Sequence, residues 1–292
     1  MKIYTANDYI KDVFGEKLYK LSLNAGCTCP NRDGTVGTNG CIFCSAKGSG
    51  DFGADAAEPV SIQIEKEKER IKEKANCKRY IAYFQSFTNT YGNIDILRGK
   101  FMEAAYNPDI AAIDIATRPD CLGDDVLKLI SELSAIKPVW IELGLQTIHE
   151  KTAKLINRGY ELRVYDEAVE NLKKLPVHII VHMIIGLPYE SPEEMTATAG
   201  YISDSGVHGI KFQLLHVLKG TKLAEMYSED MFDVLSLEEY TDILIKCMKR
   251  IRKDMVIHRI TGDGPKSILI APLWSGDKKR TLNYINKQIE NS

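Results

Sequence analysis

Residues 177 to 194 read VHIIVHMIIGLPYESPEE, and this stretch holds one complete structural unit. The apolar, largely β-branched run from Val177 predicts a strand buried on both faces. Gly186 and Pro188 mark the turn that follows. Ser191 stands three residues before Glu194, the spacing of a capping box, and Pro192 takes the first helical position, where its missing N–H costs nothing. Strand, turn and capped helix make a β/α unit.

The same alternation recurs on both sides. LYKLSL from Leu18, RYIAYF from Arg79, IAAIDIA from Ile110, VWIEL from Val139 and GIKFQLL from Gly209 read as further buried strands, separated by amphipathic or charged segments of helical length. A second capping box, Ser236 with Glu239, opens a later helix. Strands alternating with helices imply a parallel sheet with right-handed crossovers. The expected fold is α/β: a six-unit, partial β/α barrel over residues 1–234, with a C-terminal extension over residues 235–292. The run EKEKERIKEK from Glu65 predicts a solvated helix face whose opposite charges pair at i,i+3.

Composition narrows the class. With 292 residues and 44% hydrophobic content the chain can bury a large core, so its seven cysteines are not the framework of a small disulfide-stapled domain. The first residues, MKIYTANDYIKDVFG, hold no apolar run of signal-peptide type, and no stretch approaches the roughly 18 apolar residues of a membrane span. A cytoplasmic protein without membrane contact is expected. Net charge is uninformative at 38 Lys+Arg against 40 Asp+Glu, but its distribution is not. From Tyr240 onward eleven Lys/Arg face five Asp/Glu, so the extension is basic and suits either a phosphate backbone or a salt-laced helix.

Four of the cysteines, Cys27, Cys29, Cys41 and Cys44, fall within eighteen residues of a glycine-rich segment spanning 24–52. In a cytosolic chain such clustering points to metal or redox work. A closed four-cysteine zinc site is one reading, although the single residue between Cys27 and Cys29 is tighter than zinc spacing and no second His or Cys pair follows. An iron–sulfur cluster is the other, and a reactive one leaves an iron without a protein ligand, so three cysteines suffice. Cys77, Cys121 and Cys247 stand apart and read as small buried hydrophobes.

CPNRDGTVGTNGCIFC, Cys29 to Cys44, resembles the cluster loop of the Elp3-like group of radical S-adenosylmethionine (SAM) proteins. Eleven residues separate Cys29 from Cys41 and two separate Cys41 from Cys44, with Phe43 before the last ligand, as is typical of that group. The resemblance implies Cys29, Cys41 and Cys44 as ligands of a [4Fe–4S] cluster and leaves Cys27 as loop filler. It continues at successive strand ends: YFQSFTNTYG with Gln85, Ser86 and Thr88, ATRPDCL with Thr117, Arg118 and Asp120, IELGLQT with Glu142 and Gln146, INRG with Arg158, and MIIGLPYE with Gly186. These would serve SAM: Gln85 and Ser86 facing the nucleoside, Glu142 and Gln146 its ribose or amino group, Arg158 its carboxylate by fork geometry, and Gly186 admitting backbone to the adenine.

The chemistry implied is one-electron cleavage of SAM to methionine and a 5′-deoxyadenosyl radical, with the electron from an external donor, at the carboxyl ends of the barrel strands. The tail HRITGDGPKSILIAPLWSGDKKRTLNYI, His258 to Ile285, is similar to a bacterial subgroup acting on tRNA, which converts a carboxymethylaminomethyl group on the wobble uridine toward aminomethyl. On that reading Arg259, Lys266, Lys278, Lys279 and Arg280 face phosphates and Trp274 stacks on a base or packs the extension, with His216 and Lys219 bordering the mouth. Two alternatives remain at this point: the same cofactors acting on a small metabolite or tetrapyrrole, and a zinc-stabilised RNA-binding module without catalysis.

Overall fold

Each of the six apolar runs forms a strand, and the physical reason is visible in their alternating sides. A computed structural model describes residues 1–46, 48, 53–73 and 77–292. Residues 47 and 49–52 of the expected cluster segment, and Lys74 of the charged run, lie outside the described residues. In chain order the elements are α1 (Ala6–Phe14), β1 (Tyr19–Leu23), α2 (Val60–Ile71), β2 (Tyr80–Phe84), α3 (Ile94–Tyr106), β3 (Ile110–Thr117), α4 (Asp124–Ser134) and β4 (Val139–Gln146). There follow α5 (Glu150–Leu155), α6 (Leu162–Leu172), β5 (Val177–Ile185), α7 (Pro192–Asp204), β6 (Gly209–Leu214), β7 (Val217–Leu218) and α8 (Lys222–Ser228). The chain closes with α9 (Leu237–Arg250), β8 (Val256–Arg259), β9 (Leu269–Ala271) and α10 (Lys278–Asn291).

The main sheet has the order β1-β2-β3-β4-β5-β6-β8, parallel throughout, and curls into an open barrel with β1 and β8 at its edges. The expected partial β/α barrel is present, its six strands joined by a seventh. Four residues of the extension, VIHR, pair with β6, so the extension completes the sheet instead of standing beside it. Val256–Arg259 was hard to see because four residues carrying a His and an Arg lack a recognisable apolar run.

Period two sorts every strand. Leu21 and Leu23, Ala82 and Phe84, Ile113 and Ile115, Ile141 and Leu143, Val181 and Met183, and Ile210 and Phe212 point outward into the main core, where Ile64, Phe101, Leu133, Leu172, Ile202 and Tyr240 of the surrounding helices meet them. Inward lie Ile81, Ala112, Trp140 and Ile180, which with Ile10 and Leu18 close the N-terminal end of the lumen under α1. Both predicted capping boxes form, Ser191 with Glu194 and Ser236 with Glu239. The charged run lies on α2 and its tail, with the pairs Glu65–Lys68, Glu67–Arg70 and Glu69–Lys72 all made. Among the described residues no helix is long and apolar enough to cross a membrane.

Candidate functional site

The segment after β1 is tied down by polar side chains, which is why its glycines do not leave it loose. Arg32 donates through Nη2 to the carbonyls of Ser45 at 2.7 Å and Cys44 at 3.2 Å. Asn31 donates to the Asn157 carbonyl at 2.6 Å, and Asn157 returns a bond to the Gly40 carbonyl at 2.7 Å. Gly40 has φ 69°, and a Cβ there would meet Arg32 Nε at 2.8 Å, so both its backbone and its neighbour demand glycine.

This clamping brings Cys29, Cys41 and Cys44 to the wall of one cavity at the C-terminal ends of the strands. Cys27 lines a different cavity, on the other side of the loop, together with Cys121. Among the described residues no three His, Cys, Asp or Glu side chains converge closely enough to hold a single metal ion, and this holds for Cys29, Cys41 and Cys44 as it does for the four-cysteine set. The environments differ as sharply as the positions. A hydrogen bond from Cys44 and the charges of Arg118 and Arg32 outweigh burial and bring the Cys41 thiol down to about 7, whereas burial pushes Cys27 up to about 11 and Cys121 to about 12. Asn31 Nδ2 also lies 3.8 Å from Cys41 Sγ. Three thiols on one wall, with cations beside them and none of the other cysteines, fit a three-cysteine cluster.

Below the thiols the lumen carries a buried network that the sequence reading did not single out. Glu142 Oε2 accepts from Tyr83 at 2.8 Å, His182 Nε2 at 2.7 Å and Lys211 at 2.5 Å, and Oε1 accepts from Lys20 at 2.9 Å. Lys20 also pairs with Asp114. Since an ionised carboxylate only accepts, His182 carries its proton on Nε2, and its Nδ1 accepts from Gln213 Nε2 at 2.8 Å. Burial would raise the Glu142 carboxyl, but Lys20, Lys211 and His182 overcome it and hold it well below the carboxylate range. Burial keeps His182 neutral, its value lowered to about 4. The signal was present in the strings themselves: Lys20, Asp114, Glu142, His182 and Lys211 all fall on the inward parity of largely apolar strands.

The predicted SAM contacts divide. Gln85 and Gln146 line the cavity, and Gln146 sits at φ 72° with its Oε1 buried and without a partner among the described residues. Ser86 Oγ is likewise buried without a partner, but Ser86 is not among the lining residues. Glu142 lines the cavity with both oxygens already engaged by the network, so it organises the lumen instead of offering a free carboxylate. Arg158, expected at the SAM carboxylate, also lines it, with its donors engaged within the chain. They go to the carbonyls of Tyr160 at 3.0 Å and Thr147 at 2.6 Å and to Glu150 at 3.3 Å, and the ring of Tyr160 lies against both Arg158 and Arg118. Gly186, expected beside the adenine, lies outside that lining. At φ 94° it needs glycine, and the space a Cβ would take is bounded by Leu235 at 3.2 Å.

The residues expected at RNA lie in different settings. Arg259 projects into the lumen, lining both the cavity under the thiols and the one that adjoins it at the mouth. Trp274 packs: its Nε1 donates to the Leu235 carbonyl at 3.0 Å and its ring lies 5.8 Å from that of Tyr240. Lys266, Lys278, Lys279 and Arg280 are exposed, Lys278 paired with Asp263 at 2.9 Å. His216 lines the mouth, held between Gly262 and Gly264, where a Cβ would meet its ring at 2.8 and 2.9 Å, and Lys219 is exposed.

Residues 32–202 match the family model of the Radical SAM superfamily, and residues 207–291 that of the Radical_SAM C-terminal domain. The chain is 44% identical over 290 residues to YtqA of Bacillus subtilis (strain 168), covering 99% of this chain and 90% of that one. It is 26% identical over 181 residues to the tRNA uridine(34) acetyltransferase of Methanocaldococcus infernus, which is 60% of this chain but 32% of that enzyme. The solved structure of the archaeal Methanocaldococcus infernus Elp3 superposes with a TM-score of 0.66 at 19% identity, over 79% of this chain and 59% of that one, a likeness of fold. With the family model spanning more than half its length, the chain belongs to the Radical SAM superfamily, whose members use a [4Fe–4S] cluster and S-adenosylmethionine.

Proposed function

We propose that this radical SAM enzyme holds its cluster on Cys29, Cys41 and Cys44 and modifies the carbon-5 side chain of a tRNA wobble uridine. When bound, cluster and SAM supply one-electron chemistry at unactivated carbon. What the chain contributes is a walled, polar lumen that orients both molecules and keeps water and loose side chains from the reacting atoms. The observation that carries the reading is that the three thiols and the inward residues of β2 to β8 line one continuous space: Phe43, Cys44, Gln85, Gln146, His182, Gln213 and Arg259 belong to both the cavity beneath the thiols and the one at the mouth. In that space Gln146 and Gln85 would meet the nucleoside of SAM, with the positive charge of Arg118 and Arg158, both against the Tyr160 ring, beside it.

Support for tRNA is of two kinds. One relative is by name a tRNA uridine(34) acetyltransferase. The other support is position: Asp263 lines the mouth and binds Lys278, so the basic start of α10 lies at its rim, with Lys279 and Arg280 exposed. Mass spectrometry of nucleosides from tRNA of a strain lacking the protein tests the reading. Carboxymethylaminomethyl-uridine should accumulate at the wobble position at the expense of its aminomethyl derivative. An unchanged nucleoside profile would remove the tRNA assignment and leave a small metabolite or tetrapyrrole as the substrate class.

A further inference from the structure

The charges inside the lumen do not balance. Lys20 and Lys211 are matched by Asp114 and Glu142 through direct contacts. Arg259 is left over: among the described residues its guanidinium makes no hydrogen bond and no ion pair. It lines both cavities, and its charge is felt by Lys211, Tyr83, His182 and His216, so it lies among other donors and cations. The other carboxylate at the mouth, Asp263, is committed to Lys278 at 2.9 Å. A partly buried charge without a counterion is costly, and a guanidinium presents a planar fork that matches a carboxylate.

Position shows which molecule would bring that carboxylate. The thiols, Arg118 and Arg158 reach the cavity from the β1, β3 and β4 side. Arg259 stands on β8, the opposite edge of the sheet, three residues before the Gly262–Pro265 loop that forms the mouth. Beside it Gln213 and Gln85 line the same two cavities, and the Gln85 side chain has no partner among the described residues. We infer that Arg259 is the specificity-determining residue for the second substrate, receiving a carboxylate on the group to be modified, flanked by Gln85 and Gln213. This rests on the wobble-uridine reading. There the substrate side chain ends in a carboxylate and the aminomethyl product carries only an ammonium, so one arginine attracts the first and repels the second.

The test is competition binding by the full chain, reconstituted without oxygen, of two anticodon stem-loop RNAs. They differ only in carrying carboxymethylaminomethyl-uridine or aminomethyl-uridine at the wobble position. The wild type should prefer the carboxylate RNA by about ten- to a hundredfold, the range of a hydrogen bond between charged groups. Arg259→Gln, which removes no contact within the described residues, should reduce that preference to about twofold or less, and Arg259→Lys should fall between, since a point charge replaces the fork. SAM affinity should be unchanged in both. Equal binding of the two RNAs by the wild type would overturn the inference and spare the tRNA reading, whereas failure to bind either RNA would overturn both. A loss of SAM affinity in Arg259→Gln that parallels the loss of preference would reassign the arginine to the carboxylate of SAM.

Discussion

At the N-terminal ends of its strands the lumen is shut by a stack of rings, and at the C-terminal ends it opens between thiols and unpartnered polar groups. The same strands build both. At the floor Tyr9 stacks on His178 with centroids 4.4 Å apart, Trp140 and His258 lie beside them, and His178 meets His258 Nε2 to Nε2 at 3.0 Å. At the mouth Gln146 Oε1 and His216 Nε2 are buried without partners among the described residues, and Arg259 has no counterion there. A barrel keeps its stability at one end and its chemistry at the other; His258 Nδ1 at the floor is also without a partner among the described residues, but the orphaned groups that line a cavity, Gln146 and His216, are at the mouth. Each prediction below asks whether that division holds.

The largest effect belongs to the mouth. Replacing Cys29, Cys41 or Cys44 with Ala should abolish the iron–sulfur visible absorbance and the formation of 5′-deoxyadenosine, while Cys27→Ala, whose thiol faces the other cavity, should spare both. Loss of the chromophore in Cys27→Ala would end the three-ligand assignment.

Between floor and mouth lies Glu142, where the division should break down. Glu142→Gln strips a carboxylate from buried Lys211, half-buried Lys20, a tyrosine and a histidine, and should cost about 3–5 kcal/mol in chemical denaturation, the range for an orphaned buried charge. Adding Lys211→Met should recover part of that loss, because the unmatched cation is then gone as well. A single-variant cost below about 1 kcal/mol would mean that the network is hydrated and does not bridge the two ends.

The floor should reveal itself through pH. Burial, aided by His208 and Lys20, lowers His178 to about 3, against an ordinary value of 6.5. A histidine kept neutral in the fold binds its proton more readily when unfolded, so its contribution is complete above pH 6.5 and is lost as pH falls from there toward 3. Between pH 7 and pH 5 unfolding free energy should drop by about 2 kcal/mol from this residue, at 1.36 kcal/mol per unit once below 6.5. His178→Gln should flatten that dependence by one proton in denaturation curves taken across the range. An unaltered slope would show the floor histidines to be solvated.

How much of this was legible follows from what strings of residues can encode. The strands announced themselves because both faces are buried, and the closing cysteine pair because its spacing is a covalent constraint on one loop. The residues expected at SAM were chosen as polar types at strand ends, and their partnerships were not legible: nothing local says that Arg158 is spent on the carbonyls of Thr147 and Tyr160, or that Leu235 bounds the space beside Gly186. Arg259 was misplaced for a related reason. In a basic tail an arginine reads as surface, and only the pairing of β8 with β6 turns it inward. The Lys20–Asp114–Glu142–Lys211 network joins residues up to 191 positions apart, and only the curl of the sheet brings them together.

The smallest effect concerns the rim. If tRNA phosphates lie against Lys279 and Arg280, log affinity should fall linearly with log salt, at about −0.9 per phosphate on duplex and about −0.7 on single strands. Replacing either residue with Ala should reduce the slope by about one unit. Both side chains are exposed, so the same changes should move stability by less than about 0.5 kcal/mol. Trp274→Ala supplies the opposite pattern. Its ring packs on Tyr240 and its Nε1 is bonded to the Leu235 carbonyl, so its loss should cost about 2–3 kcal/mol, below the full price of a core tryptophan because the ring is half-buried, and leave the salt slope alone. Binding isotherms at four or five salt concentrations, set beside denaturation midpoints for the three variants, would separate the two patterns. A slope unchanged by Lys279→Ala and Arg280→Ala would move the RNA contact away from α10 while leaving the lumen and its thiols as they are.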